Sequence, residues 1–193
     1  MSNFDEIKTS LEHIGALTDY PTALLLTTSE YPTESKNVNL KKLETLSNNF
    51  PKLPLGFSDH TRGNLAASIA VSFGACIFEK HFTLDASLAG PDHWFSATSS
   101  ELKTWSDSIK TSYMMIGSGE LKPTKSEIQM KSIARRSIVA LDDIDIGDIF
   151  NTDNIGLRRP GTGLQPEMYE SLLGKKSLKK ISKFSMLSKE DFL

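Results

Sequence analysis

Phe4, Ile7, Leu11, Ile14 and Leu17 recur at helical spacing behind the capping candidates Ser2 and Asn3, so the chain is expected to open on an amphipathic helix. Ala23 to Thr28 then forms a short, continuously apolar run of the kind a buried strand requires. Leu40, Leu43 and Leu46 mark a second helix, and Leu55 to Ser58 a second strand. The rhythm repeats with a helix whose inward face is predicted to be Leu65, Ile69 and Phe73, ended by Gly74, and with a third strand from Ala75 to Lys80. A fourth helix is introduced by Thr98 and Glu101 at capping-box spacing and turns Leu102, Trp105 and Ile109 inward.

Strands apolar on both faces that alternate with helices pair in parallel beneath a helical layer, which places this half in the α/β class. A closed (β/α)₈ barrel needs eight strands and about 250 residues. The stretch to about Met115 supplies fewer than half of these strands, so it reads as part of a barrel. Buried-type strands left alone would expose unpaired apolar edges, which a finished fold avoids.

The pattern changes at Gly117-Ser118-Gly119. Pro123 and the polar run Thr124 to Lys131 read as a linker. Beyond it, Ser137 to Leu141, Ile144 to Ile149 and Gly156 to Arg159 are β-prone, Pro160-Gly161-Thr162-Gly163 is a tight loop, and Pro166 to Leu173 is a short helix stopped by Gly174. The expected organisation is a partial barrel over residues 1–117, a linker over 118–132 and a small mostly-β domain over 133–193. A domain of that size is marginally stable unless it packs on something.

Composition narrows the partners. The chain carries 38% hydrophobic and 24% charged residues with a formal charge of -2, without the basic excess that binding to nucleic acid or an anionic membrane requires. The polar N-terminus has no apolar targeting core, and the aliphatic run Leu24 to Leu26 is far too short to span a bilayer, so the expected location is cytoplasmic. The single cysteine, Cys76, reads as a small buried hydrophobe in the run Ala75 to Phe78.

Chemistry gathers at three places. Thr28-Ser29-Glu30-Tyr31 leaves the first strand, Ser58-Asp59-His60 the second and Glu79-Lys80-His81 the third. In an α/β barrel the C-terminal strand ends form the catalytic face, although loops to helices are polar in any case. Of the four histidines, His60 and His81 occupy corresponding positions on neighbouring strands. Two neutral imidazoles with open positions for water or substrate would make a Lewis-acid site, while spacing alone is served equally by two satisfied, partly buried histidines. His13 reads as a solvated surface residue, and His93 has no assigned role.

Taken in order, Ser29-Glu30-Tyr31-Pro32, Gly56-Phe57-Ser58-Asp59-His60-Thr61, Glu79-Lys80-His81-Phe82-Thr83-Leu84, Gly90-Pro91-Asp92-His93, Arg135-Arg136-Ser137 and Arg159-Pro160-Gly161-Thr162-Gly163 resemble the successive signatures of the N-acetylneuraminate (sialic acid) synthase family. The resemblance covers nearly the whole chain. It implies the C-terminal part of a TIM barrel, about three βα units, followed by an antifreeze-like (SAF, β-clip) domain. It also implies a metal-dependent condensation of phosphoenolpyruvate with N-acetylmannosamine or a related aldehyde sugar, giving a nonulosonic acid and phosphate.

Carried over by motif, the divalent ion, Mn2+ or Mg2+, falls to His60 and His81. Ser58 resembles a phosphate contact, and Ser29 takes a position that is Asn in some members. Tyr31 and Asp92 resemble sugar contacts. Arg159 resembles the arginine that one subunit's SAF domain inserts into its partner's site, which implies a homodimer. The family barrel begins upstream of this stretch, so the resemblance further implies a need for the N-terminal barrel half, encoded separately or in a longer reading frame. The alternative expectation is a non-catalytic remnant keeping metal-binding, sugar-binding and dimer surfaces.

Overall fold

A computed structural model describes residues 1–18 and 20–192. The chain divides into two compact units, Met1–Glu120 and Leu121–Leu193.

In the first unit, helix α1 (Phe4–His13) is capped by Asn3, whose side chain accepts from the Glu6 N–H at 3.0 Å while the Glu6 carboxylate accepts from the Asn3 N–H at 2.7 Å. The helix ends before Ile14 and Leu17, which are exposed rather than extending its buried face. Strands β1 (Leu24–Thr27), β2 (Leu55–Asp59) and β3 (Ile77–Lys80) form one parallel sheet in the order β1-β2-β3. The short helix α2 (Ser35–Val38) and helix α3 (Lys41–Asn49) connect the first two strands, and α4 (Leu65–Ser72) connects the second and third. Helix α5 (Ser99–Ile116) follows, with the Glu101 carboxylate accepting from both the N–H and the hydroxyl of Thr98, each at 2.8 Å.

The core lies between helices and sheet. Leu43 and Leu46 of α3, Leu26 of β1, Leu55 and Phe57 of β2, and Trp105 of α5 are all buried there. Helix α4 corrects two of the three predicted inward positions: Phe73, just past its end, packs partly buried against the core, but Leu65 and Ile69 are exposed and Ala67, Ala70 and Val71 are buried in their place. This helix is apolar nearly all round, so both sets satisfy the 3.6-residue period, and the alanines win because their small side chains permit close approach. Cys76 is exposed, not buried: it precedes β3 at the edge of the sheet, with its thiol 3.4 Å from the Leu55 carbonyl.

The second unit begins with a further correction. The run expected as a linker contains helix α6 (Lys125–Ala134), capped reciprocally by Thr124 and Glu127. Strands β4 (Ser137–Ala140) and β5 (Ile155–Arg158) pair antiparallel, and the segment from Ile144 to Ile149 contributes isolated bridges, Ile144 to Ile181 and Ile149 to Lys176, instead of a strand. A 3₁₀ turn (Pro166–Met168) leads into α7 (Tyr169–Leu172), and Gly174 follows at φ 84°. Ile138, Ala140, Ile144, Phe150, Ile155 and Leu172, each fully buried, fill this unit's core.

Candidate active site

Strand alternation decides which side chains meet. Because Ser58 pairs in register with Glu79, and Asp59 with Lys80, the residues Ser58, His60, Glu79 and His81 turn to one face, and Asp59 and Lys80 to the helix-covered face. The His60 and His81 rings stand edge-on, 5.2 Å apart between centroids. Tyr31 packs against both, at 4.3 Å from His60 and 5.6 Å from His81, and Phe95 closes on Tyr31 and His81 at 5.1 and 4.9 Å.

His60 is buried and its orientation is set by the backbone. Its Nδ1 lies 2.8 Å from the Thr28 carbonyl oxygen, which can only accept, so in the neutral ring the proton sits on Nδ1 and the lone pair on Nε2. The Thr33 N–H donates to the His60 carbonyl at 2.9 Å, tying the turn after β1 to the end of β2. Ser58 Oγ is 3.5 Å from Nε2 and donates instead to Glu79 Oε1 at 2.6 Å, which engages the one proton it could offer a phosphate. Glu79 is therefore a site residue to which no motif role points. It was legible, since it stands two positions before His81 and so shares its face.

Asp92 is exposed, with Oδ2 3.9 Å from His81 Nδ1, beyond a hydrogen bond but within reach of an ion pair should the ring be protonated. The loop carrying it is braced by His93, whose Nδ1 is 2.8 Å from Thr83 Oγ1. Gly90 permits this packing, because a Cβ there would come 2.8 Å from the His93 ring. The Ala97 N–H donates to the His81 carbonyl at 2.9 Å and pins the far end of the loop. Ser29 is exposed on the turn between β1 and Tyr31, outside this set of contacts. Ser58, His60, His81, Tyr31 and Asp92 are thus brought together on the first unit, and Arg159 belongs to the second.

Within that second unit, Arg159 follows β5, and its Nε donates to the Ala134 carbonyl at the end of α6 at 3.0 Å. The Gly161 N–H donates to the Ser132 carbonyl at 2.7 Å, and a Cβ on Gly161 would lie 2.5 Å from the Arg135 Cβ, so only glycine permits this approach. The Ser137 hydroxyl donates to the Pro160 carbonyl at 2.7 Å and accepts from the Gly163 N–H at 2.8 Å. The two arginine-containing motifs are therefore one structure, with Ser137 locking the loop that carries Arg159.

His60 Nε2 and the His81 ring are the nitrogen donors at this mouth. Among the described residues no group of three or more His, Cys, Asp and Glu side chains converges as a closed metal cage. Two imidazole donors with unfilled positions fit an open site for a divalent ion, and do not fit a closed structural one.

Residues 1–121 match the model of the NeuB family, and residues 135–193 that of the SAF domain. The chain belongs to the NeuB family. It is 39% identical over 179 residues to an N,N'-diacetyllegionaminic acid synthase of Legionella pneumophila, an alignment covering 90% of this chain and 50% of that protein. It is 38% identical over 165 residues to a pseudaminic acid synthase of Campylobacter jejuni, covering 86% of this chain and 48% of that protein. Among solved structures, the spore coat polysaccharide biosynthesis protein SpsE of Bacillus subtilis superposes with a TM-score of 0.57 at 29% identity, covering all of this chain and 59% of that one. The N-acetylneuraminic acid synthetase of Leptospira borgpetersenii, solved with citrate, gives 0.60 at 33% identity over 67% of this chain and 45% of that one. The chain spans about half the length of the curated relatives it matches. Its three parallel strands are part of the NeuB TIM barrel, and the antifreeze-like SAF domain follows. Among the described residues no helix is long and apolar enough to cross a membrane.

Proposed function

We propose that this chain forms the metal-bearing wall of a nonulosonic acid synthase active site, where phosphoenolpyruvate condenses with N-acetylmannosamine or a related N-acetylated aldehyde sugar. The observation that carries this reading is the paired imidazoles at adjacent strand ends, with His60 Nε2 left free by the Nδ1 contact to Thr28. His60 and His81 would hold a divalent ion, Mn2+ or Mg2+, which when bound would supply Lewis-acid stabilisation of a developing oxygen charge. Tyr31 walls this mouth against both imidazoles and Phe95 against His81. Ser58 reaches a phosphate once its hydroxyl turns from Glu79, and Asp92 accepts from sugar hydroxyls at the exposed rim. Ser29, exposed beside Tyr31, offers a further hydroxyl to the phosphate.

Arg159 supplies the cationic partner in this reading, brought by the SAF domain of a second subunit to a substrate carboxylate or carbonyl. Two serines alone do not balance a phosphate ester dianion, so the remaining strands and the cationic groups on them come from polypeptide outside this stretch. The test is to combine the chain with the N-terminal barrel half of a related synthase, supply Mn2+, phosphoenolpyruvate and the sugar, and follow phosphate release. Release that needs both halves and disappears in His60→Ala supports the reading. No release with N-acetylmannosamine or with the diacetylated sugars of the legionaminate and pseudaminate routes refutes it in favour of a non-catalytic remnant.

A further inference from the structure

Behind the two histidines, on the helix-covered face, lies a buried ion pair that the chemistry above does not use. Lys80 Nζ is 3.1 Å from Asp59 Oδ2, with the lysine side chain 7% and the aspartate side chain 0% exposed. Asp59 Oδ2 also accepts from Trp105 Nε1 at 2.8 Å, and Oδ1 accepts from the N–H and hydroxyl of Thr61 at 2.8 and 2.7 Å. Lys80 donates a second time, to the Thr61 carbonyl at 2.7 Å. These bonds have one geometric consequence. They hold the residues immediately before and after His60 to each other and to the residue immediately before His81.

Burying both charges is a poor route to stability, since a well-packed apolar pair of similar volume is often as stable or more so. What this ion pair adds is directional constraint on a turn that would otherwise pivot about His60. We propose that Asp59 and Lys80 are positioning residues for the two-histidine site: by clamping residues 59 and 61 to β3 they hold the His60 ring in its Nδ1–H tautomer against Thr28 and set its spacing from His81. The inference rests on the reading of His60 and His81 as a metal-holding pair. It is also decidable in the metal-free chain, because partners that orient a ligand imidazole act before any ion arrives.

The experiment is long-range ¹H–¹⁵N spectroscopy of the histidine rings in the metal-free chain at a pH where they are neutral, followed by Mn2+ titration. It compares the wild type with Asp59→Asn, Asp59→Asn/Lys80→Met and Lys80→Arg. The wild type is expected to show His60 as Nδ1–H, and the double variant to show a mixture of tautomers with Mn2+ affinity reduced about 10–100-fold. Lys80→Arg, which keeps charge and donors, is expected to retain the wild-type signature. A folded double variant with unchanged tautomer and unchanged affinity overturns the proposal. Should that variant fail to fold, Asp59→Asn, near-isosteric, decides in its place: loss of the Nδ1–H signature supports positioning, and its retention overturns it. A wild-type chain that shows the Nδ1–H tautomer without binding Mn2+ refutes the metal reading, and the tautomer comparison still judges the clamp.

Discussion

Replacing Ser137 by alanine isolates the contact that joins the two halves of the arginine loop. The residue is fully buried, and its hydroxyl serves the Pro160 carbonyl and the Gly163 N–H at 2.7 and 2.8 Å. Alanine preserves the packing of β4 and removes both bonds. The Pro160 residue is exposed, so water recovers that carbonyl, while the half-buried Gly163 N–H is left without its acceptor. Typical costs for a lost bond and a partly desolvated donor sum to about 1–3 kcal/mol. For a domain of this size each kcal/mol lowers the melting temperature by about 4–8 °C. The SAF domain is therefore expected to melt roughly 5–20 °C lower, and exchange of the Gly163 amide to accelerate about 5–150-fold, since each 1.4 kcal/mol is a factor of ten. Hydrogen exchange on the whole chain reads the second effect amide by amide and separates it from the first unit, and calorimetry reads the first effect. Unchanged Gly163 protection together with a shift below about 2 °C would mean that the loop is held by something other than this hydroxyl.

Two further outcomes follow from the packing and the caps. Leu43→Ala removes a fully buried side chain from the first core and is expected to cost about 2–5 kcal/mol, lowering exchange protection in β2 and α3 and leaving β4 and β5 as they were. The Glu101 carboxyl is held below its ordinary value chiefly by the Thr98 N–H, then by the Thr98 hydroxyl. A depressed folded-state value means its contribution to α5 is present above the unfolded glutamate value and fades as pH falls through the folded one. Protection in the first turn of α5, taken relative to the intrinsic exchange rate at each pH, should therefore fall on acidification across that range, and Glu101→Gln should flatten the dependence.

Much of this was legible because two periodicities carry it. The three parallel strands follow from continuous apolar runs, and α5 from Thr98 and Glu101 at capping-box spacing with Trp105 inward. The same spacing occurs at Thr124 and Glu127 ahead of α6, but the run after Pro123 reads as linker because it is polar, and this helix buries none of its own side chains. In α4 the pattern points to Leu65 and Ile69 instead of the buried alanines because alanine is too small to dominate a pattern of apolar positions, yet it is what close packing selects. Cys76 reads as core from its neighbours, and only pairing order reveals that β3 lies at an edge. At the site, the convergence of Tyr31, His60 and His81 is readable from strand ends. The Thr28 carbonyl that sets the His60 tautomer is invisible, since any residue could supply it.

In the proposed function, His60 and His81 together hold one divalent ion at the mouth of the sheet. Electron paramagnetic resonance of Mn2+ titrated into the purified chain tests it directly, with His60→Ala, His81→Ala and the exposed His13→Ala as the comparison. One bound ion per chain, lost in either of the first two variants and unchanged in the third, is the result expected. Equal binding in all four proteins would place the ion elsewhere or leave the two histidines without one.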